Sequence, residues 1–92
     1  MESRQVSIER RRRSRPLIIM EMLSLLSTRR MMIKSRLRTL IGLSHPRFTS
    51  YLDHLESRKA VEKWRDGPRT FIRITDEGEK LLRSLEAIAD FL

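Results

Sequence analysis

The sequence predicts a small α+β domain, mainly helical, and three observations carry that reading. Phe48, Leu52 and Leu55 recur at i, i+4, i+7 within residues 43–61, Gly42 stands directly before that stretch, and a strand-turn-strand pattern follows directly after it. At about 100° per residue the three apolar side chains fall within roughly 60° of one another. Pro46, Arg47, Ser50, Asp53, His54 and Ser57 occupy the far side. Ser44 is placed to cap the start, with His45 and Pro46 in the first turn. Such a helix has one face to bury and a basic, polar face to present.

The elements around it follow in chain order. Residues 1–15, MESRQVSIERRRRSR, offer almost nothing to bury and carry five arginines at positions 10–13 and 15. They read as a flexible tail, and equally as an arm that takes its place on a polyanion. Pro16 suits the first turn of a helix, where its missing N–H is harmless. That helix carries Ile19, Leu23 and Leu26 on one face, with Ile18, Met22 and Leu25 beside them. This apolar surface serves either the core alone or a core and a partner. Thr28, Arg29 and Arg30 form a polar break, and residues 31–33 give one brief edge strand. A second helix covers residues 34–41, with Ile33, Leu37, Leu40 and Ile41 at helical spacing and Gly42 as its left-handed stop. Leu43 and Ser44 start the next helix at once. Two short helices joined by a tight glycine turn make a helix-turn-helix.

Beyond the third helix, residues 61–65 read as a strand, Asp66-Gly67-Pro68 as a turn and residues 69–75 as the return strand. Thr70, Ile72 and Ile74 alternate there with Phe71 and Arg73. Arg65 and Arg69 flank the tip, and Trp64 covers the hairpin. Thr75 or Asp76 caps a last helix whose acidic first turn, Asp76, Glu77 and Glu79, suits the positive end of its dipole. Leu81, Leu85, Ile88 and Leu92 follow at 4-3-4 spacing, with Leu82 and Ala89 alongside. This is a short seam of the coiled-coil kind, which covers its own domain or pairs two copies.

Size and charge narrow the function. A chain of 92 residues has a modest core, and with no cysteine it has neither disulfides nor a thiolate zinc site to reinforce it. A second subunit is the expected supplement. The net charge is +8, unevenly spread: residues 1–73 hold 18 Lys/Arg against 7 Asp/Glu, residues 74–92 hold 2 against 5. Sixteen of the 20 basic residues are arginine, whose planar fork fits phosphates and guanine edges. A basic body with an acidic end points to a polyanion-binding surface and a separate region kept off it. The longest apolar-rich stretch, residues 17–26, is about half of a membrane span and contains Glu21 and Ser24. No small-residue cleavage site follows the arginine cluster, so a cytoplasmic location is expected. His45 and His54 lie nine residues apart, about 180° around one helix, so they cannot share a metal. With no glycine-rich phosphate loop and no His-Glu-x-x-His, neither an enzyme nor a cofactor is expected.

The order helix, short strand, helix, helix, hairpin, helix is that of a winged helix-turn-helix. Over residues 16–82 the chain resembles small archaeal and bacterial winged-helix regulators related to the MarR and ArsR families. The resembling residues are Gly42-Leu43-Ser44, Tyr51-Leu52, Leu55-Glu56 and Val61-Glu62, then Gly67-Pro68-Arg69-Thr70 and Ile74-Thr75-Asp76-Glu77-Gly78. The resemblance implies a dimeric repressor or activator, its third helix in a major groove and its hairpin wing on the minor groove or backbone. Those relatives usually carry glycine after the third helix. Here Lys59 stands there, so either it adopts a left-handed conformation or the helix ends differently. The hairpin tip is shorter than in many relatives, and the metal-sensing cysteines of some ArsR relatives are absent.

These readings divide the chain into a basic, flexible arm (1–15), a winged-helix DNA-binding domain (16–75) and a C-terminal dimerisation helix (76–92). Arg47 is the first candidate for reading bases, because an arginine can bond two acceptors of guanine at once. Ser44, His45, Ser50 and His54 are further groove candidates. Arg36, Arg38, Thr49, Arg65 and Arg69 are candidates for the backbone or wing contacts, and Arg10, Arg11, Arg12, Arg13 and Arg15 for the arm. Leu81, Leu85, Ile88 and Leu92 are the expected dimer seam. Double-stranded DNA and a second copy are the expected partners. An architectural DNA-coating protein and a winged helix that binds protein are the competing readings.

Overall fold

The structure, a computed structural model, describes residues 13–91. Helix α1 (Arg15–Arg29) leads to strand β1 (Met31–Ile33), helix α2 (Lys34–Ile41) and helix α3 (His45–Ser57). Strands β2 (Val61–Asp66) and β3 (Arg69–Ile74) form the hairpin, and helix α4 (Asp76–Phe91) closes the fold. The sheet is antiparallel in the order β1-β3-β2. The architecture is the expected one, a mainly helical winged helix.

Local chemistry explains where the elements start and stop. Helix α1 begins one residue before Pro16, with Ser14 as N-cap accepting the Leu17 N–H at 3.3 Å. The expected boundary at residue 15 therefore moves: Arg15 belongs to α1, and only residues before it precede the helix. Helix α2 ends at Gly42, whose φ of 77° and ψ of 32° place it in the left-handed region, and whose N–H meets the Arg38 carbonyl at 2.9 Å. Ser44 is the N-cap of α3, but its hydroxyl makes no capping bond among the described residues. The hairpin is tighter than expected, because Asp66 and Arg69 already pair and only Gly67 and Pro68 make the turn.

The end of α3 answers the question posed by Lys59. The Lys59 N–H bonds the Glu56 carbonyl and the Ala60 N–H reaches back to Leu55, both at 2.9 Å. This pair of bonds is the Schellman arrangement, which needs a left-handed residue at the Lys59 position. Lys59 supplies it at φ 62°, a conformation that disfavours any side chain. The hydroxyl of Thr75 donates to the Lys59 carbonyl at 2.6 Å while its oxygen accepts the Gly78 N–H at 3.0 Å. Thr75 thus caps α4 and fastens it to the end of α3. Gly78 is buried in that corner, where an added Cβ would meet the Ala60 carbonyl oxygen at 2.1 Å.

The core is continuous. Ile18, Met22, Leu23 and Leu26 of α1 pack with Leu37 and Ile41 of α2, Ile72 of β3 and Leu82 of α4. Ile19, Met20 and Leu25 are half-buried against it, so most of the broad apolar surface of α1 is used within the domain. The back of α3 contributes Phe48, Tyr51, Leu52 and Leu55, all buried. Each such side chain contributes about 1.5–3 kcal/mol on burial, whereas a surface ion pair contributes about 0–1. The Lys63 contacts to Asp53 (3.9 Å) and Glu56 (3.2 Å) are of the second kind. Apolar burial therefore sets the position of α3, and the ion pairs trim it.

Two substitutions probe the α3–α4 corner. Gly78→Ala is expected to lower stability by about 1–3 kcal/mol, since the methyl group would meet fixed backbone. At an open helical site the same change gains about 0.5–1 kcal/mol, so urea unfolding distinguishes the two by sign. Lys59→Gly should gain up to about 1 kcal/mol by releasing left-handed strain, read as a higher thermal midpoint.

Candidate nucleic-acid interface

The candidate surface is built on the front of α3. With its back buried, the helix exposes Ser44, His45, Pro46, Arg47, Ser50, Asp53, His54 and Ser57. Helical periodicity alone separates these residues from Phe48, Tyr51, Leu52 and Leu55. The free Ser44 hydroxyl and the exposed Arg47 guanidinium sit in the opening turn, where the uncompensated N–H groups of a helix favour an anion. Asp53 lies a turn and a half further on and turns toward Lys63 of β2, which takes part of its charge. The acidic group is thereby drawn to the hairpin side, leaving the first two turns basic.

Of the remaining candidates, Arg36 is exposed and Arg38 half-buried on α2, and Arg65 and Arg69 are exposed on the hairpin. Asp66 stands directly opposite Arg69 in the β2–β3 register, which reduces the net charge of the wing tip. Thr49 is a correction: its Oγ1 is buried without a hydrogen-bond partner among the described residues, so it does not face outward with Arg47. Its place between Phe48 and Ser50 turns it toward the edge of the core. Arg10, Arg11 and Arg12 lie outside the described residues.

Arg13 and Arg15 are also placed differently from expectation. Arg13 is held by the Glu21 carboxylate at 2.6 Å and the Ile41 carbonyl at 2.8 Å, its side chain only 17% exposed. The Arg15 guanidinium lies 5.7 Å from the centre of the Tyr51 ring. Arg13 is thereby held against the body, while Arg15 remains exposed beside the Tyr51 ring. In the sequence they are indistinguishable from their neighbours in the arginine run, because Glu21 and Ile41 are 8 and 28 residues away.

The outer face of the hairpin is a layer of side chains. Trp64 stacks on Phe71 with ring centres 5.7 Å apart, and the Arg73 guanidinium lies 5.6 Å from the Trp64 ring. Arg73 is bound in turn by Glu62, at 2.9 and 2.7 Å. Trp64 therefore stiffens the wing, and the cation beside it is already paired. At the other end of the molecule, Leu81 and Leu85 are half-buried against the core and Leu82 is buried, while Ile88 is 57% and Phe91 94% exposed. Half of the expected seam thus serves the domain itself, and Leu92 lies outside the described residues. The Ser27 hydroxyl donates to the Glu79 carboxylate at 2.8 and 3.1 Å, fixing α4 to α1. No group of three metal-ligating side chains occurs among the described residues.

This geometry has known counterparts. A family model described as winged helix-turn-helix matches residues 12–92, and the chain belongs to that family. Among solved structures, it is similar to the PcaV transcriptional regulator from Streptomyces coelicolor in complex with its natural ligand. That match has 26% identity and a TM-score of 0.73, and covers 78% of this chain and 54% of the other. A MarR mutant from E. coli complexed with operator DNA matches at 15% identity and a TM-score of 0.67, over 75% of this chain and 51% of that one. A MepR mutant from S. aureus matches at 21% and 0.69, over 78% and 55%. The last two show likeness of fold alone. The chain spans about half the length of these regulators. No curated protein matches it in sequence.

Proposed function

We propose that the chain is a sequence-specific DNA-binding regulator of transcription that acts as a homodimer. The observation that carries this reading is the division of α3 into a buried apolar back and an exposed front led by Arg47. In this reading the first two turns of α3 enter the major groove, where Arg47 bonds a guanine edge. Ser44, His45 and Ser50 contact neighbouring bases or phosphates, and His54 reaches the backbone. Arg65 and Arg69 of the wing, with Arg36 and Arg38 of α2, meet phosphates. The family and the likeness to a regulator bound to operator DNA support this assignment. Two copies place their recognition helices about 34 Å apart on a pseudo-palindromic site.

Competition binding tests the reading against a DNA-coating protein. A duplex selected from a random pool should outcompete random DNA at physiological salt; equal competition would refute sequence-specific regulation. Arg47→Ala is expected to flatten the preference at one base position, at a cost of about 1–3 kcal/mol on the best site. Arg69→Ala should weaken all sequences alike and lower the salt slope by about 0.9. Identical behaviour of the two variants would reject the division of labour between helix and wing.

Ile88 is the residue with which to test the dimer, because it is exposed while Leu85 also supports the core. Ile88→Glu should leave thermal unfolding of the domain nearly unchanged and shift sedimentation toward monomer, with weaker operator binding. A dimer that survives this substitution moves the interface away from the end of α4.

A further inference from the structure

Arg47 shares its surroundings with an ion pair. Arg13, Glu21 and Arg47 line one hollow of about 600 Å³ beside Gly42, with Ile18, Leu40 and Leu43 among its apolar walls. There Arg13 Nη1 donates to the Glu21 carboxylate at 2.6 Å and Arg13 Nη2 to the Ile41 carbonyl at 2.8 Å. Among the described residues the two arginines are the cations of the hollow and Glu21 is its anion. Arg47 has no ion-pair partner among them. The Glu21 side chain is 37% exposed and that of Arg13 17%, whereas the surface pair Glu77 and Lys80 stands at 64% and 68%. A carboxylate partly withdrawn from water beside apolar walls costs free energy unless a cation neutralises it.

Resting on the DNA-binding reading above, we propose that Arg13 is a positioning residue for base reading, which keeps Arg47 out of the hollow by occupying Glu21. Arg47 is the other cation on the walls of that hollow, so it is the one Glu21 recruits when Arg13 is absent. An arginine folded onto this carboxylate is withdrawn from the major groove, and its paired bonds to a guanine edge are lost. With Arg13 in place the carboxylate is already neutralised, and a second guanidinium entering the hollow meets a like charge. The bond to the Ile41 carbonyl holds Arg13 there independently of Glu21. Arg13 acts on Arg47 through Glu21 and touches no base itself. Its loss is therefore expressed at the one base pair that Arg47 reads.

Binding of the full chain to its best selected duplex, and to duplexes changed at the base pair whose preference depends on Arg47, tests the proposal. Arg13→Ala should lower affinity for the best duplex by about tenfold and flatten preference at that pair as Arg47→Ala does, with preference elsewhere kept. Arg13→Ala combined with Glu21→Gln should restore the preference, because no carboxylate remains to hold Arg47. Arg13→Lys keeps a cation beside Glu21 and should behave as the wild type, as should Glu21→Gln alone. Thermal unfolding of each variant separates loss of preference from loss of fold. A merely structural role for Arg13 predicts the opposite ranking, with the double variant at least as impaired as Arg13→Ala. In the free protein, NMR detection of the Arg47 Nε–H reads the same event without DNA. Its exchange with water should slow several-fold in Arg13→Ala and return to the wild-type rate in the double variant. Full preference in Arg13→Ala, a double variant that stays flat, or unchanged exchange in Arg13→Ala each overturns the proposal. If exchange shifts as stated while the wild type shows no preference that depends on Arg47, capture by Glu21 stands and the base-reading assignment fails.

Discussion

The constraint on which the rest of the structure depends is the burial of one side of α3. A helix that presents its front to a ligand must be held wholly from behind. Phe48, Tyr51, Leu52 and Leu55 do this as members of the one buried cluster to which α1, α2, β2, β3 and α4 also contribute. Their spacing leaves no apolar side chain among the exposed residues of the front other than Pro46, so the polar set from Ser44 to Ser57 is what folding leaves over. The exposed polar face and the stabilising face are thus two readings of one periodicity.

A second dependence lies at the corner after α3. Helix α3, strand β2 and the start of α4 meet where Lys59, Ala60, Thr75 and Gly78 exchange hydrogen bonds and close contacts. The left-handed turn at Lys59 aims the chain from α3 into the hairpin, and the Thr75 hydroxyl returns from the far end of the hairpin to the same carbonyl. The angle between α3 and the hairpin is thereby set by a few backbone bonds. A strained lysine persists there because two Schellman bonds and a side-chain bond all require its conformation.

What was legible in the sequence was whatever repeats along one element. The bounds of α2, the stop at Gly42, the inward face of α3 and the alternation in β3 all follow from spacing and residue type. The misses were long-range. Nothing in the run Arg10 to Arg13 marks its last member as the one that meets Glu21 and Ile41. Leu85 falls on the seam by spacing, yet its depth depends on the packing of α4 against the core. Lys59 is not a miss: the sequence leaves it open between a left-handed turn and a different helix end, and hydrogen bonding selects the turn. Thr49 looks polar and free until the neighbours of Phe48 are in place around it. For the same reason the candidate site was visible as a helix face, while the fastening of its flanks was not.

The order of the sheet bears on how copies of this protein meet. Among the described residues, β3 is central and β1 and β2 are the edges of the sheet. One edge is three residues long, and the other carries Glu62, Lys63, Arg65 and Asp66 among its six residues. Short or charged edges do not recruit a strand from another molecule, because pairing would strip water from the charges and gain few backbone bonds. The hairpin is protected in this way from joining sheets into fibres.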